Sequence, residues 1–419
     1  MPAKQPSRIY ESSTAPVLYG LQGQSSAIQH VSLHVGFNRP AFVGGEAEEV
    51  TKAILEKQQL SGDGYYTKLC EKWLSDFYQA PTLLTSSCTH ALEMAALLLN
   101  LESGDEVIVP SFTFVSTANA FVLRGASIQF ADCDEFGQLS LESVKRLLTP
   151  KTKAVCAVHY AGHSTDMDAL STFCKEHQLF LVEDAAQAIG AQYQDRLLGT
   201  WGDLACLSFH ETKNVSSGEG GALIINNPAF AERAHFLREK GTNRSKFVQG
   251  LVDKYTWVDI GSSYVMSDMN AAHLWVHLQN LEIINQKRLS IWKDYNDALG
   301  TTLPKGAQLL QVPSKVSSNA HLFALIFEQP EYRTAFIHFM RQAQITAPFH
   351  YVALHSSPYA QQLQAEGKAF AADSYQQTNR LAHGLVRLPL FYNLSDEQQA
   401  WVITTVERFF RHLHKVHSM

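Results

Sequence analysis

Leu179–Leu223 reads LFLVEDAAQAIGAQYQDRLLGTWGDLACLSFHETKNVSSGEGGAL. Two apolar runs in it, Leu179–Val182 and Leu204–Phe209, are short enough to be buried strands, and each runs straight into polar residues. The first delivers Glu183, Asp184 and Gln187, and the second delivers Ser208, His210 and Lys213. In an open parallel sheet, ligands bind beyond the carboxyl ends of the strands, so an acid and a lysine at two such ends can face one cavity. A lysine there is a candidate Schiff-base former, and an aspartate there is a candidate partner for a protonated pyridine nitrogen.

Pyridoxal 5'-phosphate (PLP) requires that pairing, but position alone leaves other readings open. A strand-end lysine is ordinarily a solvated surface group, and Glu183-Asp184 also reads as an exposed turn or a helix N-cap. A nucleotide phosphate loop is excluded, because its glycines precede the lysine, whereas here they follow Lys213.

Working outward, Thr85–Asn100 (TSSCTHALEMAALLLN) is a hydroxyl-rich turn entering an Ala/Leu-rich helix. Such a start collects unpaired N–H groups where the helix dipole favours an anion, although a Ser/Thr N-cap alone would look the same. The runs Glu106–Pro110, Ile128–Ala131 and Ala154–His159 are further strands, with a helix over Leu141–Leu148. This strand–helix alternation up to about residue 225 predicts a parallel sheet covered by helices. The spacing of Asp184 and Gln187 matches one face of a helix. GSSYVMSDMNAAHLWVHLQNLEIINQKRL, from Gly261, predicts a turn and one long helix. Beyond Ile291, short strands and helices predict a smaller α+β domain, in which Phe349–Pro358 and Arg387–Ser395 read as loops.

VEDAAQAIGA, LLGTWGDLACLSFHETKN and GEGGALI, together with LEMAALLL, PSFTFVSTANAFVLRGA, HYAG and KGTNRS, resemble the DegT/DnrJ/EryC1/StrS sugar aminotransferases. These act on nucleotide-linked keto sugars and belong to the fold-type I PLP enzymes. The resemblance runs from about Val35 to the C-terminus. It implies an α/β fold with a mostly parallel sheet of the seven-stranded type between helices, over residues 34–285, and a smaller α+β domain over 286–419. Residues 1–33 are an N-terminal extension without assigned role.

For the site, the resemblance implies that Lys213 holds PLP and moves protons, that Asp184 pairs with the pyridinium nitrogen, and that Gln187 contacts the ring's hydroxyl side. Phe114 lies over the ring, while Cys88, Thr89 and Ser208 hold the phosphate. The family often has glycine at position 88, so Cys88 is a departure that keeps the backbone contact. Ser263 stands where many relatives have an asparagine that reaches the phosphate of the neighbouring subunit, which implies a homodimer with a shared site. His159, Tyr351 and His355 are candidates for the sugar side, each with a structural alternative. A related dehydratase branch replaces the lysine with histidine, and Lys213 argues against it. The implied reaction moves nitrogen from L-glutamate to dTDP-4-keto-6-deoxyglucose, giving dTDP-4-amino-4,6-dideoxygalactose for surface polysaccharide. The 4-amino-glucose epimer, a 3-amino sugar and a non-catalytic sensor or scaffold are the alternatives.

Composition fits a globular protein: of 419 residues, 45% are hydrophobic and 18% charged. A net charge of −6 supplies no basic footprint for nucleic acid. The six cysteines, at 70, 88, 133, 156, 174 and 206, form no CxxC pair and no metal spacing, as expected of reduced cysteines in the cytoplasm. No apolar run is long enough to span a bilayer, and no signal-peptide segment opens the chain.

Overall fold

In a computed structural model of the chain, residues 33–372 and 374–417 are described, with side chains to residue 413. The proposed N-terminal extension lies, except for its last residue, outside them.

Among the described residues, fourteen strands follow in chain order. They are β1 (Thr82–Thr85), β2 (Glu106–Pro110), β3 (Ser127–Ala131), β4 (Thr152–Val158), β5 (Phe180–Asp184), β6 (Gln192–Tyr193) and β7 (Arg196–Leu197). β8 (Leu204–Ser208), β9 (Gly221–Ile225), β10 (Ala307–Leu309), β11 (Val316–Ser317), β12 (Phe323–Phe327), β13 (Ala369–Ala371) and β14 (Leu385–Leu388) complete the set.

The large sheet has the order β1-β9-β8-β5-β4-β2-β3-β13. Only β9 runs against the rest, pairing antiparallel with both β1 and β8. The sheet is therefore mostly parallel, as expected, but it holds eight strands rather than seven. The eighth comes from the C-terminal part of the chain, where Ala369 pairs with Ile128. β10, β12 and β14 form a separate antiparallel sheet.

The strands are apolar on both faces because helices cover both faces. Successive residues alternate between two cores. Ile108, Val155, Leu181, Leu207 and Ile224 pack on one side, and Val107, Cys156, Val182, Cys206 and Leu223 on the other. Between strands, the helix Cys88–Leu98 is capped by Ser87, whose Oγ accepts the His90 N–H at 3.1 Å. The long helix expected after Gly261 is two helices, Asp268–Gln279 and Leu281–Leu299, which meet at Asn280. Asn280 leaves helical geometry (φ −109°, ψ 14°), as a residue with low helix propensity does more readily than its neighbours.

The face-of-a-helix reading of Asp184 and Gln187 is also corrected. Asp184 ends β5, and Gln187 sits in the tight turns that follow it.

Candidate active site

Five strands of one direction end around one cavity of about 590 Å³. After β1 come Ser87, Cys88 and Thr89; after β2, Thr113, Phe114 and Ser116; at the end of β4, Val158; at β5, Asp184 and Gln187; and at β8, Ser208 and Lys213. Cavities of this sheet type form at the carboxyl ends of their strands, and the same happens here. The C-terminal part of the chain closes the cavity with His321, His350, Tyr351 and Arg387. A second cleft of about 490 Å³, lined by Arg196, Trp201 and Asp203, contains none of the candidate residues.

Adjacent acids on β5 face opposite ways, because side chains alternate along a strand. Asp184 turns toward the cavity, where Oδ2 accepts from Thr117 Oγ1 at 2.7 Å and Oδ1 from the Ala186 N–H at 3.2 Å. Glu183 turns inward and is fully buried. Its carboxylate accepts the N–H groups of Gly199, Trp201 and Gly202, each at 2.7 Å, and meets His159 Nε2 at the same distance. Glu183 is thus a structural anion pinning the loop ahead of β8. It sets β8, and with it Ser208 and Lys213, beside β5.

Among the described residues, the Lys213 amine has no hydrogen-bond or ion-pair partner. The surrounding protein pushes its pKa below the usual lysine value, and Arg387 adds to this. The negative charge of Asp184 acts the other way. Some access to solvent remains through the cavity. Burial also raises the Cys88 thiol, which stays protonated and uncharged.

The first N–H groups of a helix have no acceptor within the helix. Ser87 satisfies that of His90, which leaves those of Cys88 and Thr89 at the cavity. The Thr89 and Ser116 hydroxyls lie 2.8 Å apart beside them. Gly221 lets this helix start sit directly against β9: a Cβ there would come within 2.4 Å of Ser87 C and Cys88 N.

Pyridoxal 5'-phosphate needs an unpaired amine, a carboxylate for its ring nitrogen and donors for its phosphate. The unpartnered Lys213, the fixed carboxylate of Asp184 and the helix start at Cys88-Thr89 with nearby hydroxyls match all three. Phe114, half exposed at the cavity, supplies an aromatic face. Gln187 contributes less freely than expected. Its Oε1 accepts the Ala161 N–H at 2.7 Å, and its Nε2 donates to Tyr351 OH at 3.0 Å.

Two sugar-side candidates do not reach the cavity. His159 is buried with its ring committed to Glu183. His355 bonds Ser111 Oγ at 2.7 Å through Nδ1 and stacks on Tyr375 at 3.6 Å. Tyr351 does line it, stacked on His350 with centroids 3.7 Å apart. Ser263 lies outside the cavity, exposed on the stretch that pairs with Glu239. His321 and Arg387 went unassigned in the sequence. Arg387 belongs to β14 rather than to the loop expected from Arg387 to Ser395.

Comparison with known proteins agrees with this geometry. The sequence signature described as the DegT/DnrJ/EryC1/StrS aminotransferase family matches residues 43–407. The chain is 31% identical over 380 residues to GDP-perosamine synthase of Vibrio cholerae, covering 88% of this chain and 98% of that one. Among solved structures, the aminotransferase TlmJ of Streptoalloteichus hindustanus superposes with a TM-score of 0.82 at 27% identity, covering 91% of this chain and all of that one. Spr1654 of Streptococcus pneumoniae, in its PLP form, gives 0.82 at 25% identity, with 92% and 100% covered.

Proposed function

Given that the chain belongs to the DegT/DnrJ/EryC1/StrS aminotransferase family and is a PLP-dependent nucleotide-sugar aminotransferase, we propose that it moves an amino group from L-glutamate to dTDP-4-keto-6-deoxyglucose. The product is dTDP-4-amino-4,6-dideoxygalactose, destined for surface polysaccharide. The observation that carries the catalytic part is the unpartnered Lys213 amine in one cavity with Asp184. The choice of sugar is carried by the sequence resemblance.

Bound PLP supplies an aldehyde that accepts an amino group and a heterocycle that draws electrons from the adjoining carbon. The protein's part is to hold and move protons. Lys213 holds the cofactor at rest. Freed from the cofactor, its Nζ would take the proton from the donor's α-carbon, a task that its lowered pKa favours by easing the loss of its own proton. Asp184, fixed by Thr117, keeps the ring nitrogen protonated. Cys88, Thr89 and Ser208 hold the phosphate, and Phe114 holds the ring plane.

The enzyme works as a homodimer, with Ser263 of one subunit reaching the partner's phosphate. Ser263 is exposed in the described chain and follows a stretch of exposed apolar residues, Phe247, Leu251, Tyr255, Trp257 and Ile260. Surfaces of that kind commonly mark interfaces. Sedimentation of the holoenzyme as a monomer would contradict this.

The named relative acts in GDP-linked amino-sugar synthesis, so a GDP-linked 4-keto sugar is the competing acceptor. The holoenzyme is supplied with glutamate and, in parallel, dTDP- and GDP-linked 4-keto sugars and a 3-keto sugar, and the products are assigned by NMR. A dTDP-linked 4-amino product with galacto configuration is expected. A 3-amino sugar, the gluco epimer or conversion of the GDP sugar alone overturns the substrate assignment.

A further inference from the structure

One histidine of the cavity has its hydrogen-bonding role fixed by a buried network behind Lys213. Asn214, the next residue, is buried. Its Nδ2 donates both hydrogens, to Asn285 Oδ1 and to the Asn319 carbonyl, each at 2.9 Å. A backbone carbonyl can only accept, so the orientation of the Asn214 amide is forced.

Asn214 Oδ1 therefore faces His321 Nδ1, at 2.9 Å. That oxygen carries no hydrogen, so Nδ1 must donate. In a neutral ring the other nitrogen, Nε2, is then a bare acceptor. The ring is kept neutral by burial and by the nearby cations Lys213, Arg288 and Arg387, with His350 also close, which together press its pKa well below the ordinary histidine value.

The backbone carrying His321 is held just as firmly. Arg288 donates to the Ala320 carbonyl at 3.1 Å and to the His321 carbonyl at 2.6 Å. Asn319 Nδ2 donates to the Gln187 and Ile189 carbonyls. Ala320 sits at φ 50°, a left-handed conformation that a residue with a Cβ keeps only when its surroundings enforce it. His321 lines the cavity, and its Nε2 has no partner among the described residues. Every element around the ring is thus spent on presenting one acceptor to whatever occupies the cavity.

We propose that His321 Nε2 accepts a hydrogen bond from a hydroxyl of the sugar substrate and so helps to select the acceptor. The inference rests on the nucleotide-sugar reading above. A bare lone pair repels the carboxylates of glutamate and suits a donor, and the keto sugar brings hydroxyl donors. Lys213, which lines the same cavity, is the other candidate donor, and the experiment separates the two.

His321→Asn keeps an amide N–H to meet Asn214 Oδ1 but removes the acceptor. His321→Gln can place its Oε1 near the position of Nε2. In the holoenzyme, H321N is expected to raise KM for the keto sugar about tenfold, and to weaken calorimetric binding of the amino-sugar product alike, the loss of one such bond. The glutamate half-reaction, followed by absorbance, stays within about twofold of wild type by the same reasoning, since its substrate lacks the bond. H321Q stays closer to wild type for the sugar. Unchanged sugar KM and product affinity in H321N overturn the proposal, as does an equal loss in the glutamate half-reaction, which would assign the acceptor to Lys213. Should H321N fail to fold, a tenfold loss in well-folded H321Q overturns it too. Wild-type enzyme that binds no nucleotide-linked sugar sinks the functional reading and this inference together, whereas sugar binding untouched by H321N sinks only the latter.

Discussion

Replacing Glu183 by glutamine exchanges one carboxylate oxygen for an amide N–H₂ and tests how the sheet holds its catalytic ends in register. Oε1 accepts from Trp201 and Gly202, and Oε2 from Gly199 and His159, all at 2.7 Å. In the best arrangement for glutamine, the amide oxygen keeps Trp201 and Gly202. The amide N–H₂ then faces His159, which can switch tautomer and accept because its Nδ1 has no partner. The Gly199 N–H is left facing a donor. Stranding one buried N–H costs about 1–3 kcal/mol, and turning two charge-assisted bonds into neutral ones costs about 1 kcal/mol each. The sum is about 3–5 kcal/mol. At about 2 °C per kcal/mol for a chain of this size, the melting temperature of E183Q should fall by at least about 5 °C. Hydrogen exchange should accelerate first at Gly199, Trp201 and Gly202. A melting point within about 1 °C of wild type, by the same scale, with unchanged exchange in that loop, would refute the claim that Glu183 pins it.

Further outcomes follow from the same geometry. Asp184→Asn should bind the cofactor yet lose at least about a hundredfold in kcat, the scale on which a fixed electrostatic group matters; near-normal turnover would count against the ring-nitrogen role. Gly221→Ala forces a Cβ to within 2.4 Å of Ser87 and Cys88 and should weaken cofactor affinity by about tenfold or more by shifting the helix start, read by titrating the cofactor-free protein. Buried His163 has its pKa pushed down to about 4, and neither ring nitrogen is partnered. The unfolded chain therefore binds more protons below about pH 6.5, and stability falls with falling pH from there toward about 4. His163→Leu should flatten that part of a denaturation-versus-pH curve, and an unaltered slope would exclude His163 as a source.

The strands and the placement of Lys213 and Asp184 were legible in the sequence because an apolar run entering polar residues is a local signal. What a neighbouring residue does there was not. Glu183 and Asp184 share composition and position, and only strand alternation together with the distant loop 199–202 sends one inward and the other to the cavity. His159 reads as a strand-end site residue until Glu183, 24 positions on, claims its ring. Asn214, Asn285, Asn319 and His321 form one network across more than a hundred residues of chain, and no local periodicity reports such contacts. The break at Asn280 and the eighth strand at Ala369–Ala371 likewise depend on tertiary packing that overrides the local pattern.

Lys213 is the cofactor's proposed anchor, and mass spectrometry of the holoenzyme can test that assignment most directly. Holoenzyme is reduced with borohydride, digested and mapped. One reduced cofactor is expected on the peptide containing Lys213, and no fixed label in Lys213→Ala loaded under the same conditions. A label on a different lysine of the wild-type chain, or cofactor bound but nowhere fixed, would contradict it.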